Sequence, residues 1–273
     1  MTGRKVIGLR EAVAAHVRPG ATVYLGNFGA QLFAVGHEII RQRRTGLHLV
    51  IGSGGILLDQ LLGAGVLASA TFGHCWSPVG PGPTWNFRRA AESGERPVTL
   101  YELSLGLLTA ALTAGAWDVP FMPVPGLPGT GYTDENWPNG RTSRVDSVFG
   151  AADVVAAIVP DVAFVHVDQA DADGNGVIPG PLGETLVAAQ AARAVVLVAE
   201  EVVDTGTARR AGIAVPGLLT SAVVHRPGAV APDGAIGRYE RDVAAYERYV
   251  ARAATPDGFA DWLAGHVTGG RDA

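Results

Sequence analysis

Two glycine-bearing segments carry residue types suited to holding an anion or a developing oxyanion. Gly26-Asn27-Phe28-Gly29 follows the apolar run Thr22–Leu25 and opens a helical pattern. Backbone N–H groups at such a helix start point outward and favour negative charge. The spacing is not G-x-G-x-x-G, so a dinucleotide-binding fingerprint is absent. The same glycines also suit a plain strand-to-helix turn that needs their backbone freedom, the commoner use of such loops. Gly52-Ser53-Gly54-Gly55 has the same placement after a second apolar run. Ligands of open α/β sheets bind outside the carboxyl ends of the strands. Two neighbouring strand-end loops rich in glycine therefore point to one crevice more specifically than either does alone.

Other chemistry-bearing residues give weaker patterns. Glu102 ends the apolar run at 98–102, where a carboxylate serves either a pocket or the start of the next helix. Asp168, Asp171 and Asp173 lie in a Gly-containing stretch. The glycine and closing glutamate of a calcium loop do not fall at the required offsets, so the segment reads as an Asp-Gly-Asn-Gly turn and no metal site is expected. His74-Cys75-Trp76 sets a thiol beside an imidazole, but adjacent residues of a strand face opposite sides, so this reads as a buried inert cysteine. His16, His37, His48, His225 and His266 form no spacing set.

The elements needed to position such loops are visible. Strand-like apolar runs at 22–25, 48–52, 68–72, 98–102, 162–167, 194–200 and 221–224 alternate with helical patterns at 9–17, 31–44, 56–62, 106–114 and 184–192. Two helices, 240–252 and 258–266, close the chain. Continuous apolar runs are typical of strands covered on both faces. The reading is an α/β fold, a mostly parallel open sheet covered by helices. No internal boundary is visible, so a single domain over 1–273 is expected. Segments 77–83 and 123–144 are rich in Gly and Pro, long for structureless loops, and suited to binding.

Composition narrows the function classes. The chain has 273 residues, 48% hydrophobic, only 17% charged, and a formal charge of −5. No basic track favours nucleic acid, and no apolar run approaches the roughly 20 residues that span a bilayer. The single cysteine, Cys75, fits a reducing cytoplasm. A surface poor in charge has area to give to a partner.

Taken together, the segments resemble a known family. The order is a strand, GNFG and a helix; a strand and SGG; YE before a helix; then VPFMPVPGLPGT, PDVAFVHVDQADADGNG, AARAVVLVAEEVV and VVHRPGAVAPDG. Nearly the whole chain resembles the α subunit of class I coenzyme A transferases, in the glutaconate CoA-transferase-like branch. Its most specific stretch is 160–176, with an H-x-x-x-A-D-x-x-G-N core. The family usually has two adjacent glycines where this chain has Gly26-Asn27, and often a proline where Ala34 stands.

The resemblance implies an enzyme that moves CoA between carboxylic acids through a glutamyl-CoA thioester, with the nucleophilic glutamate on a separate β-type partner chain. CoA is then a substrate, and no cofactor is held permanently. Acyl-CoA and carboxylic acids are the small-molecule partners. Gly26, Asn27, Phe28, Gly29, Ser53, Gly54, Gly55, Trp76, Leu105, Gly129 and Thr130 are the expected substrate- and CoA-binding residues, and Glu102 is the one candidate catalytic residue of this chain. The family usually places a polar side chain where Leu105 stands, and leucine neither donates nor accepts a hydrogen bond. Two alternatives follow: an acyl-CoA hydrolase or lyase of the same superfamily, or an inactive protein that only binds acyl-CoA.

Overall fold

A computed structural model describes residues 5–27, 30–80, 82, 84–92, 98–125, 130 and 141–269. The strands are β1 (Val6–Ile7), β2 (Thr22–Tyr24), β3 (Leu47–Ser53), β4 (Leu67–His74), β5 (Thr99–Glu102), β6 (Phe121–Val124), β7 (Thr142–Val145), β8 (Ala152–Ala156), β9 (Val162–Asp171), β10 (Gly176–Val177), β11 (Val195–Val203) and β12 (Ala222–His225). The helices are α1 (Leu9–His16), α2 (Phe33–Arg41), α3 (Gly55–Gly63), α4 (Trp85–Glu92), α5 (Leu105–Ala116), α6 (Thr185–Ala191), α7 (Thr205–Ala211), α8 (Val243–Ala253) and α9 (Pro256–Leu263). No described helix is long and apolar enough to cross a membrane.

The main sheet runs in the order β1-β12-β11-β9-β2-β3-β4-β5, every neighbour parallel. The short β10 folds back antiparallel on β9. Alternate strand residues feed two cores, as the period of two requires. Leu49, Ile51, Phe164 and Val198 enter one, with residues of α1, α2, α3, α8 and α9. Val50, Val165 and Leu197 enter the other, with α5 and α6. Covering both faces is what makes the strands continuous apolar runs.

Two features depart from the sequence reading, and a third, the turn after β9, agrees with it. A second sheet, β6-β8-β7, is antiparallel; its outer strands are short and half-exposed, β6 carries a proline and β7 is largely polar, so neither reads as a strand. The cap of α5 is Ser104, which accepts from the Leu107 N–H at 3.2 Å, and not Glu102. The Asp-Gly-Asn-Gly turn is fixed from within: Asp171 accepts from the N–H groups of Asp173 and Asn175 and from the Asn175 side chain, at 2.8–3.0 Å.

Two histidines are built in as neutral groups. His48 bridges Ser69 and Thr71 across β3 and β4, and His37 meets Gln60 at 2.9 Å. Burial lowers both to about 4, against about 6.5 in an unfolded chain. The unfolded state therefore binds more protons between those values, and stability held above pH ~6.5 drains away as pH falls toward 4. Each histidine should remove about 2 kcal/mol by roughly pH 5. Urea midpoints should fall from neutral to mildly acidic pH, and His48→Gln should flatten about half of that slope. Equal slopes in variant and wild type would show that His48 is not the source.

Candidate active site

The site begins where β2 stops. β2 has three residues and β9 beside it has ten, so between Ala163, the last partner of β2, and Gln169, where β10 takes the same edge, β9 has no strand neighbour on that side. The chain leaves β2 by a turn at Gly26, whose φ is +92°. A Cβ there would fall 2.1 Å from the Ala30 carbonyl oxygen, so only glycine fits. The turn closes through Ala30 N–H to Asn27 O at 3.1 Å and Leu32 N–H to Leu25 O at 3.2 Å. Gln31 then donates from Nε2 to the Ser53 carbonyl, tying the first glycine-bearing turn to the second.

These two turns open into one cavity of about 860 Å³. Gly26, Asn27, Gly52, Ser53 and Leu105 line it, with His166 and Asp168 from the free edge of β9. Segments 178–185 and 233–241 complete the wall. Asn27 holds the first of these by donating to Leu182 O at 3.2 Å. Glu184, at its end, is buried and presses its carboxyl group against Gly52: a Cβ on residue 52 would fall 2.1 Å from Oε1.

The second segment is held by charge. Glu200 accepts from His166 Nε2 at 2.9 Å, the Gly228 N–H at 2.8 Å and the Tyr239 hydroxyl at 2.8 Å. Burial pushes its pKa up, but these bonds outweigh burial and hold it below the usual carboxylate range. Arg238 donates to Asp168 at 2.6 Å and Glu201 at 2.9 Å. Arg241 donates to the buried Asp233 at 2.7 Å.

Several expected residues lie elsewhere. Gly54 and Gly55 face inward, toward Leu58 and Gln31 respectively, and do not line the cavity. Glu102 is exposed and outside the lining. Trp76 is half in solvent and stacks on His74 at 5.4 Å. Thr130 is exposed and away from the lining. Phe28, Gly29 and Gly129 fall outside the described residues. Ser53 Oγ and His74 Nε2 stand 2.9 Å apart, a nucleophile-to-base distance. Burial lowers the His74 pKa, and the nearby charge of Glu102 opposes that without cancelling it. The Cys75 thiol is pushed well up by burial and lies against Gly55 O and Thr84, so it is no nucleophile. The described residues contain no group of three or more His, Cys, Asp or Glu able to hold a metal ion.

Sequence reasoning missed Gln31, Glu184 and the 233–241 segment. Gln31 carried a weak signal, a polar residue just before an apolar helix. The others are brought in from more than a hundred residues away by the crossover to β9, and nothing in local spacing marks them.

The family model for coenzyme A transferase matches residues 6–226. The chain is 33% identical over 270 residues to a 3-oxoadipate CoA-transferase subunit of Pseudomonas knackmussii, covering 98% of this chain and 95% of that one. It is 30% identical over 261 residues to a glutaconate CoA-transferase subunit of Acidaminococcus fermentans, covering 87% and 80%. The crystal structure of glutaconate coenzyme A-transferase from Acidaminococcus fermentans superposes with a TM-score of 0.91 at 27% identity, covering 98% of this chain and 90% of that one.

The turn at Gly26 sets a test of the site's construction. Gly26→Ala brings a Cβ into the Ala30 carbonyl at a backbone angle that L-residues rarely adopt, and should destabilise the chain by about 2 kcal/mol or more. Thermal melts check it; equal melting of Gly26→Ala and wild type would mean that the turn relaxes freely.

Proposed function

This chain belongs to the coenzyme A transferase family, and on that premise we propose that it serves as the α subunit of a two-subunit enzyme that moves CoA between carboxylic acids. A β-type partner would supply the nucleophilic glutamate. The observation that carries this reading is the meeting of the Gly26–Asn27 and Gly52–Ser53 turns in one cavity at the carboxyl ends of β2 and β3. Open α/β sheets bind ligands at that place.

The chemistry needs little from this chain beyond shape and dipoles. The partner's carboxylate attacks the thioester carbonyl of an acyl-CoA and expels CoA thiolate, giving an acyl-glutamyl anhydride. The thiolate then attacks the glutamyl carbonyl, frees the acyl group as its carboxylate, and leaves a glutamyl-CoA thioester. A second carboxylate repeats the steps in reverse. Each tetrahedral intermediate carries an oxyanion, and backbone N–H groups of the glycine-bearing turns would supply the donors that stabilise it. Asn27, Ser53 and Leu105 would border the acyl group. Packing against a partner chain would also account for large apolar side chains left in solvent, among them Phe149 at 98% and Leu218 at 97% exposure.

The test is co-expression with a β-type CoA transferase chain from the same source. The pair should transfer CoA between acids, while this chain alone gives about a thousandth of that rate or less. Incubation with acyl-CoA should leave the partner chain with a borohydride-reducible thioester. Neither transfer nor thioester would overturn the reading, and steady release of free acid and CoA without an acceptor would place the enzyme among hydrolases.

A further inference from the structure

Among the described residues, one buried carboxyl group of the cavity has no ionic partner; Glu240, also in the lining, is exposed to solvent. Asp168 and Asp233 are each bonded to an arginine. Glu184 is 8% exposed, lines the cavity between the two turns, and its Oε1 has no hydrogen-bond partner among the described residues. It sits at the start of α6 yet makes no side-chain capping bond, so a structural duty at its own helix does not explain it. Gly52 is what makes room for the carboxyl group.

We propose that Glu184 is a substrate-binding residue that works as a neutral carboxylic acid, donating a hydrogen bond to the oxygen of the acyl group. The inference rests on the reading of this cavity as the acyl-transfer site. A buried ionised carboxylate with an unpaired oxygen carries a heavy desolvation penalty. A neutral carboxyl avoids it: the oxygen against Gly52 is the carbonyl oxygen, and the hydroxyl on the other is free to donate. Burial raises the Glu184 pKa; its own backbone N–H and the neighbouring Tyr24 and Asn27 oppose that and do not cancel it. The acyl oxygen is a thioester carbonyl in one half of the reaction and a carboxylate in the other. A neutral donor serves both, whereas an ionised glutamate would repel the carboxylate. Leu105, on the same cavity wall, has no polar atom with which to serve instead.

The other titratable or charged groups are Tyr24, which neighbours Glu184 from the end of β2, and, in the cavity wall, His166 and Asp168 on β9 and Asp233, Tyr239, Glu240 and Arg241 from the 233–241 segment. The arginines and hydrogen bonds described above tie down Asp168, Asp233, His166 and Tyr239, burial raises Tyr24 well above the working range, and Glu240 is exposed, which leaves Glu184 as the buried group whose ionisation changes what the acyl oxygen meets.

The experiment measures kcat/KM for the carboxylic acid acceptor with the assembled α/β pair, from about pH 5.5 to 8.5. Wild type should decline as rising pH ionises Glu184. Glu184→Gln keeps a neutral donor of the same shape, so it should stay within about threefold of the wild-type acidic limit and lose the decline. Glu184→Ala should fall about tenfold or more throughout. An unchanged decline in Glu184→Gln, or full activity in Glu184→Ala, would overturn the proposal. If the alanine variant fails to assemble, the glutamine profile decides alone. The protonated state is read without catalysis by difference infrared spectroscopy of wild type against Glu184→Gln at neutral pH. The carbonyl band of a protonated carboxyl should be present only in wild type, and its absence refutes the neutral acid even if the pair proves to transfer no CoA. Transfer with normal thioester formation but no such band would sink this inference and leave the proposed function standing.

Discussion

A mismatch in strand length governs this protein. β2 ends after three residues while the ten-residue β9 runs on beside it, so the sheet is locally unfinished in the middle, from the end of β2 to the point where β10 joins the same edge of β9. An uncovered strand edge presents unpaired backbone groups and is normally blunted. Here the 178–185 and 233–241 segments shield it without filling the space β2 vacates. The cavity is thus a consequence of topology, since the chain leaves β2 toward β3 on one side and leaves β9 toward β11 on the other. Gly26 is the residue that lets the chain depart soon enough, because any side chain there would meet the Ala30 carbonyl.

Around that gap the acidic residues divide by how they are satisfied. Glu200 gathers three donors from three different elements and is thereby kept ionised. A carboxylate so bonded fixes its donors as firmly as it is fixed, and through it β9, β11 and the loop after β12 share one anchor. Asp168 and Asp233 fasten the 233–241 segment by arginine pairs. Partly exposed pairs add little net stability, but the buried Asp233 would be costly to leave without its arginine, which suits that pair to holding geometry. Glu184 is the exception, since burial is not answered there by an opposite charge. An unanswered carboxyl amid answered ones marks the spot where a ligand would complete the bonding.

The fold was legible because both sheet faces are covered, so each strand prints a continuous apolar run whose length approximates the element. The glycine turns were legible for the same local reason: a positive φ at Gly26 leaves a residue-type signature. The β6-β8-β7 sheet is harder to read, since β6 is short, half-exposed and interrupted by Pro123, and β7 is largely polar. Glu102 misled because an acidic residue at a strand end suits a pocket or a cap equally well, and Ser104, two residues on, took the cap. Glu184 was hidden for a different reason. Its role depends on Gly52, 132 positions earlier, and no pattern within either segment encodes that meeting.

That long-range meeting bears on why the two glycine-bearing turns act together. Gln31 reaches from the first turn to the Ser53 carbonyl in the second, and Glu184 reaches from the distant 178–185 segment to Gly52. Asn27 closes the circuit through Leu182. Each turn is therefore braced by a side chain that the other or its wall supplies, and neither can shift alone without breaking a bond in a largely dry interior. Such bracing fixes donors in advance of the charge they are to meet, which is the form of electrostatic preorganisation that lowers a barrier without reorganisation at the moment of reaction. A site divided between two chains needs this more than a single-chain site does, because association aligns two half-sites only if each is already rigid.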